Sequence, residues 1–204
     1  MKFYDELKEQ RWDDHRYYHQ SRINQSLHFL SAICFLCSYV LLFINPIAAA
    51  FFGWILAMVL RQSGHFFFEP LDFDNINQVT NEHKEKIKVG YNLHRKAILI
   101  LIWLATPLLI LKFPDFFGTL EIYHDSYGYF YNLSILWIAL GASAIIFRTV
   151  HLFFIKDIRS GLVWMTKILT DPIHDIKLYH KSLLYLCRGQ LLDPMEHVVK
   201  MHKG

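Results

Sequence analysis

Apolar residues in this chain gather into long runs rather than alternating with polar ones. Residues 26–60 are almost free of charge, as are 97–111 and 129–147. Such runs suit helices through a bilayer, each needing roughly 17–25 apolar residues. They predict four spans: His28 to Ile44, Ile47 to Phe68, Ala97 to Leu111 and Tyr129 to Ile155. Asn45-Pro46 makes a tight turn between the first two. Pro107 should bend the third, because proline removes a backbone donor and crowds the preceding turn. The expected fold class is all-α: an integral membrane bundle of four transmembrane helices with cytoplasmic amphipathic helices. It forms a single membrane domain over 1–204, with an N-terminal segment at about 1–25, the bundle at 26–155 and a C-terminal segment at 156–204.

Charge sets the expected orientation. Lys and Arg lie in the N-terminal segment, in the connection between the second and third runs, and in the C-terminal segment, whereas Lys112 alone falls between the third and fourth. The positive-inside rule then places both termini and the middle connection in the cytoplasm. The first 24 residues are polar, charged and aromatic, so insertion is expected through the helices themselves. A bacterial inner membrane and an endoplasmic reticulum both accommodate this reading. The net charge of +3 gives no reason to expect nucleic acid as a partner. Cys34 and Cys37 lie inside an apolar run and, with Cys187, read as buried small side chains rather than a disulfide framework.

The chain has 12 histidines, and on this topology all but His124 fall on the cytoplasmic side. His15 and His19 precede the first span and His28 enters it. His65 closes the second, His94 opens the third and His151 closes the fourth. Imidazole is the commonest side-chain metal ligand, so this placement points to a metal centre at the mouth of the bundle. His15 and His19 are spaced i, i+4 on one helix face, as are His65 and Glu69. His19 and His28 are nine residues apart and reach one centre only if the helix breaks between them, with Asn24 marking the break or fixing a ring. His174 and His180, with Asp171 and Asp175, add donors from the C-terminal segment. His83, His124, His197 and His202 read as hydrogen-bonding residues at the interface. Imidazole and carboxylate without thiolate suit iron, manganese, zinc or copper.

Two stretches carry a family resemblance. His19-Gln-Ser-Arg-Ile-Asn24-Gln-Ser-Leu-His28 has the form H-x4-N-x3-H, and Gly64-His65-Phe-Phe-Phe-Glu69 has the form G-H-x3-E. Together, over roughly residues 17–70, they resemble the 2-hydroxy fatty acid dioxygenase family, small membrane enzymes of fatty-acid α-oxidation. The resemblance implies an Fe(II) cofactor, O2 and a 2-hydroxy long-chain fatty acid as substrates, and shortening by one carbon. It carries over His19, His28 and His65 as iron ligands, with Asn24 and Glu69 in supporting catalytic roles. A substrate carboxylate would be held by Arg61, Arg95 or Arg148, since guanidinium matches carboxylate in a bidentate fork.

Two other readings stay open on the sequence. A two-metal lipid hydroxylase or desaturase would use more of the same histidines. A non-catalytic protein would bind haem through His94 and His151, or bind lipid. A homo-oligomer is compatible with each.

Overall fold

The computed structural model describes residues 2–69 and 72–195, so His197 and His202 lie outside the described residues. Among these are eight helices and no strand. They are α1 (Phe3–Tyr18), α2 (Arg22–Leu41), α3 (Pro46–Phe67), α4 (Asn81–Ile87), α5 (Leu93–Lys112), α6 (Ser126–Ile155), α7 (Ile158–Tyr179) and α8 (Ser182–Cys187). Four stretches are long and apolar enough to cross a membrane: Arg22–Leu41, Pro46–Phe67, His94–Lys112 and Ser126–Ile155. The all-α reading and the number of spans hold, and each span starts within six residues of where hydropathy puts it.

Helix starts are fixed locally. Ser21, Asn45, Thr80, Asn92, Asp125 and Asp157 each accept a backbone N–H of the first turn through the side chain, satisfying a donor with no partner inside the helix. Asn45 is followed by Pro46 at the first helical position, where the missing N–H does no harm, and this is the turn expected between the first two spans.

Inside the bundle, small and hydroxyl residues let helices approach. Ala32 of α2 and Ala57 of α3 are fully buried, and Ser31 and Ser38 of α2 donate to the carbonyls of Ala57 and Ala49, both at 2.8 Å. Phe51–Met58 of α3 winds as a π-helix, a feature hydropathy does not announce. Pro107 lies within α5 without ending it. The carbonyl it deprives of an amide partner, that of Trp103, takes the Thr106 hydroxyl at 2.5 Å, and Thr106 in turn accepts from Trp137 of α6 at 2.6 Å. Trp103 also stacks on Trp54 of α3, with ring centroids 5.8 Å apart.

The antiparallel spans bring the start of α2, the end of α3, the start of α5 and the end of α6 to one end of the bundle. There α7 packs on α1, α2 and α6. Arg11 of α1 donates to Thr170 at 2.7 Å and pairs with Asp171 at 3.4 Å, while Lys167 joins Asp14 to Asp171. α7 therefore forms part of the packed structure rather than lying separately on the membrane surface.

Candidate metal centre

The site begins with a broken helix. α1 stops at Tyr18, and His19 caps it with a non-helical backbone, so its ring leaves the α1 face that carries His15. Ser21 then starts α2. The break precedes Asn24, whose side-chain amide donates to the Tyr18 carbonyl at 2.8 Å and ties the two helices together. Gln25 donates to the His19 carbonyl and to Asp193, both at 2.8 Å. The main chain of Gln20 and Arg22 bonds to that of Asp193 and Leu191, at 2.8 and 2.9 Å. The turn that redirects His19 is thus clamped by the far end of the chain.

Redirected, His19 meets His28 from the second turn of α2 and His65 from the last turn of α3. One ligand atom from each of the three lies within 4.8 Å of the others. His19 and His28 present Nε2 atoms 3.2 Å apart, and His28 is completely buried. Gly64 permits this convergence, because a Cβ there would overlap Asn24 Oδ1 and press on the His28 ring.

A carboxylate sets the orientation of the His65 ring from outside, and a second stands behind His28 beyond hydrogen-bond distance. His65 Nδ1 donates to Glu69 at 2.8 Å, which leaves Nε2 as its nitrogen for the centre. The other oxygen of Glu69 accepts from Lys88 at 2.9 Å. His28 Nδ1 faces Asp175 of α7 at 3.6 Å, and Asp175 is paired with Arg61 at 3.2 Å. A carboxylate on the outer nitrogen is the usual means of directing the inner lone pair toward a metal.

Burial, and then the neighbouring His28 ring, push the His19 imidazole well below the usual histidine range, so it is neutral at pH 7. Burial raises the Asp175 carboxyl, opposed by Arg61. Burial and then Asp175 hold the Tyr179 phenol protonated well above its ordinary value. The Tyr179 ring packs beside His19 and His28 at centroid distances of 5.8 and 6.4 Å.

At most one hydrogen bond, between the Nε2 atoms of His19 and His28, joins the three imidazoles, and His19 Nδ1 has no hydrogen-bond partner among the described residues, so acceptor nitrogens are left over. A divalent transition metal would satisfy them, and the donor set fits one: three nitrogen ligands, two supporting carboxylates and positions left for substrate.

The other expected ligands stand elsewhere. His15 is buried but shares its Nδ1 hydrogen bond with the Tyr179 hydroxyl at 3.0 Å, one residue removed from the cluster. His151 accepts from Arg148 through Nδ1 at 2.9 Å, so its other nitrogen carries the proton and offers no lone pair. His94 is exposed at the start of α5, and His180 is exposed with Nδ1 donating to the Lys177 carbonyl at 2.9 Å. His174 is half-buried on α7 and does not belong to the cluster.

Asn24 braces the helix break rather than a ring. Arg95 is exposed. Arg148 donates to the carbonyls of Val89 and Gly90 as well as to His151, so its fork is occupied by the protein itself. Arg61 is held by Asp175. Sequence reading passed over Lys88 and Tyr179 as neighbours of the site. Only the i, i+4 spacing of Asp175 and Tyr179 hinted that they share a face.

No family model, curated protein or solved structure matches the chain in comparisons with known proteins.

Proposed function

We propose that this protein is a metal-dependent membrane oxygenase, an Fe(II) dioxygenase that acts on 2-hydroxy long-chain fatty acids. The observation that carries the reading is the convergence of His19, His28 and His65, two of them backed by carboxylates, at one end of an apolar bundle. The resemblance of H-x4-N-x3-H and G-H-x3-E to the 2-hydroxy fatty acid dioxygenases supports the choice of substrate.

His19, His28 and His65 would hold the iron, which when bound supplies the redox chemistry that lets O2 react with a closed-shell acid. Glu69 would keep the His65 ring turned inward and Asp175 stands behind the His28 ring, with Lys88 and Arg61 paired to those carboxylates. Tyr179, protonated beside the cluster, is a neutral proton donor there. The overall reaction converts a 2-hydroxy acid and O2 into an acid one carbon shorter, carbon dioxide and water. The substrate gives up four electrons, the number O2 accepts, so no outside reductant is needed.

A single cluster of three histidines among the described residues favours one metal over the two of a hydroxylase or desaturase. The test is metal content of detergent-purified protein after anaerobic iron loading, followed by O2 uptake with 2-hydroxyhexadecanoate. About one iron per chain, and a fifteen-carbon acid as product, are expected. Protein that takes up no transition metal would overturn the reading.

A further inference from the structure

Hydropathy does not count α7 among the spans, since Lys167, Asp171 and Asp175 interrupt it. Those three charges are not on its surface. All are buried, and they pair with Asp14, Arg11 and Arg61 of α1 and α3. What α7 turns outward is Ile158, Leu162, Leu169 and Ile173, from 38% to 63% exposed. At roughly 3.6 residues per turn these four fall within an arc of about 60°. A helix between a protein core and water is arranged the other way, with its apolar stripe inward and its charges out. α8 and the chain after it repeat the inversion. Ser182 is buried on Gln25 at 2.7 Å and Asp193 on Arg22 at 3.1 Å, while Leu183, Leu184, Leu191 and Leu192 are exposed.

Two contacts give the depth at which α7 lies. Asp175 faces His28, in the second turn of α2, at 3.6 Å. The Leu169 carbonyl accepts from the Tyr39 hydroxyl at 3.4 Å, and Tyr39 is in the last turn of the same span. The two α2 residues are about 16 Å apart along the helix axis, part of which the tyrosine side chain bridges. α7 therefore runs back beside the first span rather than beyond its end. Its start is pressed against the fourth span, where a Cβ at Gly161 would meet the Thr149 carbonyl and the Phe153 ring. Two neighbours of α7 are thus spans whose own outward residues, Ile33 of α2 and Ile146 of α6 among them, are exposed at bilayer level.

We propose that α7 is immersed in the membrane, its outer face laid against the acyl chains of the leaflet at the metal-centre end of the bundle. Hydrocarbon favours this arrangement, with apolar side chains outside and paired charges inside. Arg159 and Lys177, the two exposed charges of α7, stand near its ends, where long basic side chains reach the headgroups. A second copy of the chain would also cover leucine and isoleucine. The outer face of α7, however, continues the lipid-facing surface of the spans it packs on rather than forming an isolated patch. Neither iron nor substrate enters this assignment. Its consequence is that one helix, carrying Asp175 and Tyr179 on its inner side, separates the acyl chains from the three histidines.

The test is spin labelling of the full-length protein, its three native cysteines changed to serine, in nanodiscs of phosphatidylcholine and phosphatidylglycerol. Single labels at Leu162→Cys, Leu169→Cys and Ile173→Cys are compared with Ile146→Cys on the bilayer face of α6 and Glu9→Cys, exposed on α1. Collisions with oxygen, which concentrates in hydrocarbon, and with a polar nickel chelate, which stays in water, are read by power saturation. The oxygen-to-nickel ratio at the three α7 sites should match that at Ile146→Cys. It should exceed that at Glu9→Cys by about tenfold or more, since hydrocarbon excludes the chelate. Ratios that do not exceed that of Glu9→Cys overturn the assignment. Labels shielded from both reagents and coupled to one another between chains would put a second copy there and overturn it as well. Should the cysteine-free protein not fold, wild type is irradiated in vesicles of phosphatidylcholine bearing an acyl-chain diazirine. Lipid adducts are then expected on peptides covering Ile158–Ile173, and their absence there, with adducts present on α6, overturns immersion.

Discussion

The Nε2 atoms of His19 and His28 stand 3.2 Å apart although one residue caps the end of α1 and the other lies in the second turn of α2. On one straight helix, nine residues would set these rings on opposite sides and more than two turns apart. The break at His19 to Ser21 is what makes them neighbours, and His65 closes the group.

Replacing any one of the three should abolish stable metal binding. His19→Ala, His28→Ala and His65→Ala are each expected to purify folded with less than half the wild-type metal. His94→Ala, His151→Ala and His180→Ala should retain it. Metal analysis beside circular dichroism checks this, and a loss in His94→Ala equal to that in His65→Ala would sink the three-ligand assignment.

Glu69→Gln tests the outer carboxylate. The substitution keeps the length of the side chain but removes the charge shared by His65 and Lys88. Metal affinity should fall roughly 10- to 100-fold, the usual effect of losing such a partner. Titration against a competing chelator measures it.

Gly64→Ala should be costly despite its small size. The new methyl group would collide with buried Asn24, and relief means giving up the Asn24 bond to the Tyr18 carbonyl. A loss of about 1–3 kcal/mol is expected from overpacking, together with weaker metal binding. Gly90→Ala, where a Cβ meets only the edge of Trp164, serves as the contrasting variant, and its thermal midpoint should move less.

The pairing of Asp14 with Lys167 predicts a pH dependence. Burial alone would raise the Asp14 carboxyl, but Lys167 outweighs it and holds it below the ordinary value of 3.8. Its contribution to stability is therefore fully present above pH 3.8 and is lost as pH falls through the lowered value. Lys167 is raised by Asp14 and Asp171 against the effect of burial, so its share persists throughout the neutral range and fades only in strong alkali. Asp14→Asn should melt below wild type by a constant margin between about pH 5 and 8, closing in acid. Asp14 is 37% exposed, so the margin should be only about 1 kcal/mol.

Hydropathy and charge were enough to read four spans, their turns and the end of the bundle where the histidines collect, because each depends on the character of a whole segment. The rotation of a helix about its axis does not. His65 and His94 sit at equivalent helix ends in the sequence, yet one faces the cluster and the other is exposed. The π-helical stretch Phe51–Met58 changes the phase of α3 ahead of His65, and nothing in its apolar composition signals it. Spacing marked the need for a break between His19 and His28, but Asn24 drew attention three residues too late, since the cap is Ser21.

The clamp at Gln20 to Arg22 has a bearing on how the molecule is made. All three histidines lie in the first third of the chain, yet the turn that aims His19 is held by Leu191 and Asp193. During synthesis, His28 and His65 enter the bilayer long before those residues leave the ribosome. The turn that aims His19 is therefore completed only after all four spans have been made, so the three imidazoles take up their final arrangement late although they are synthesised early.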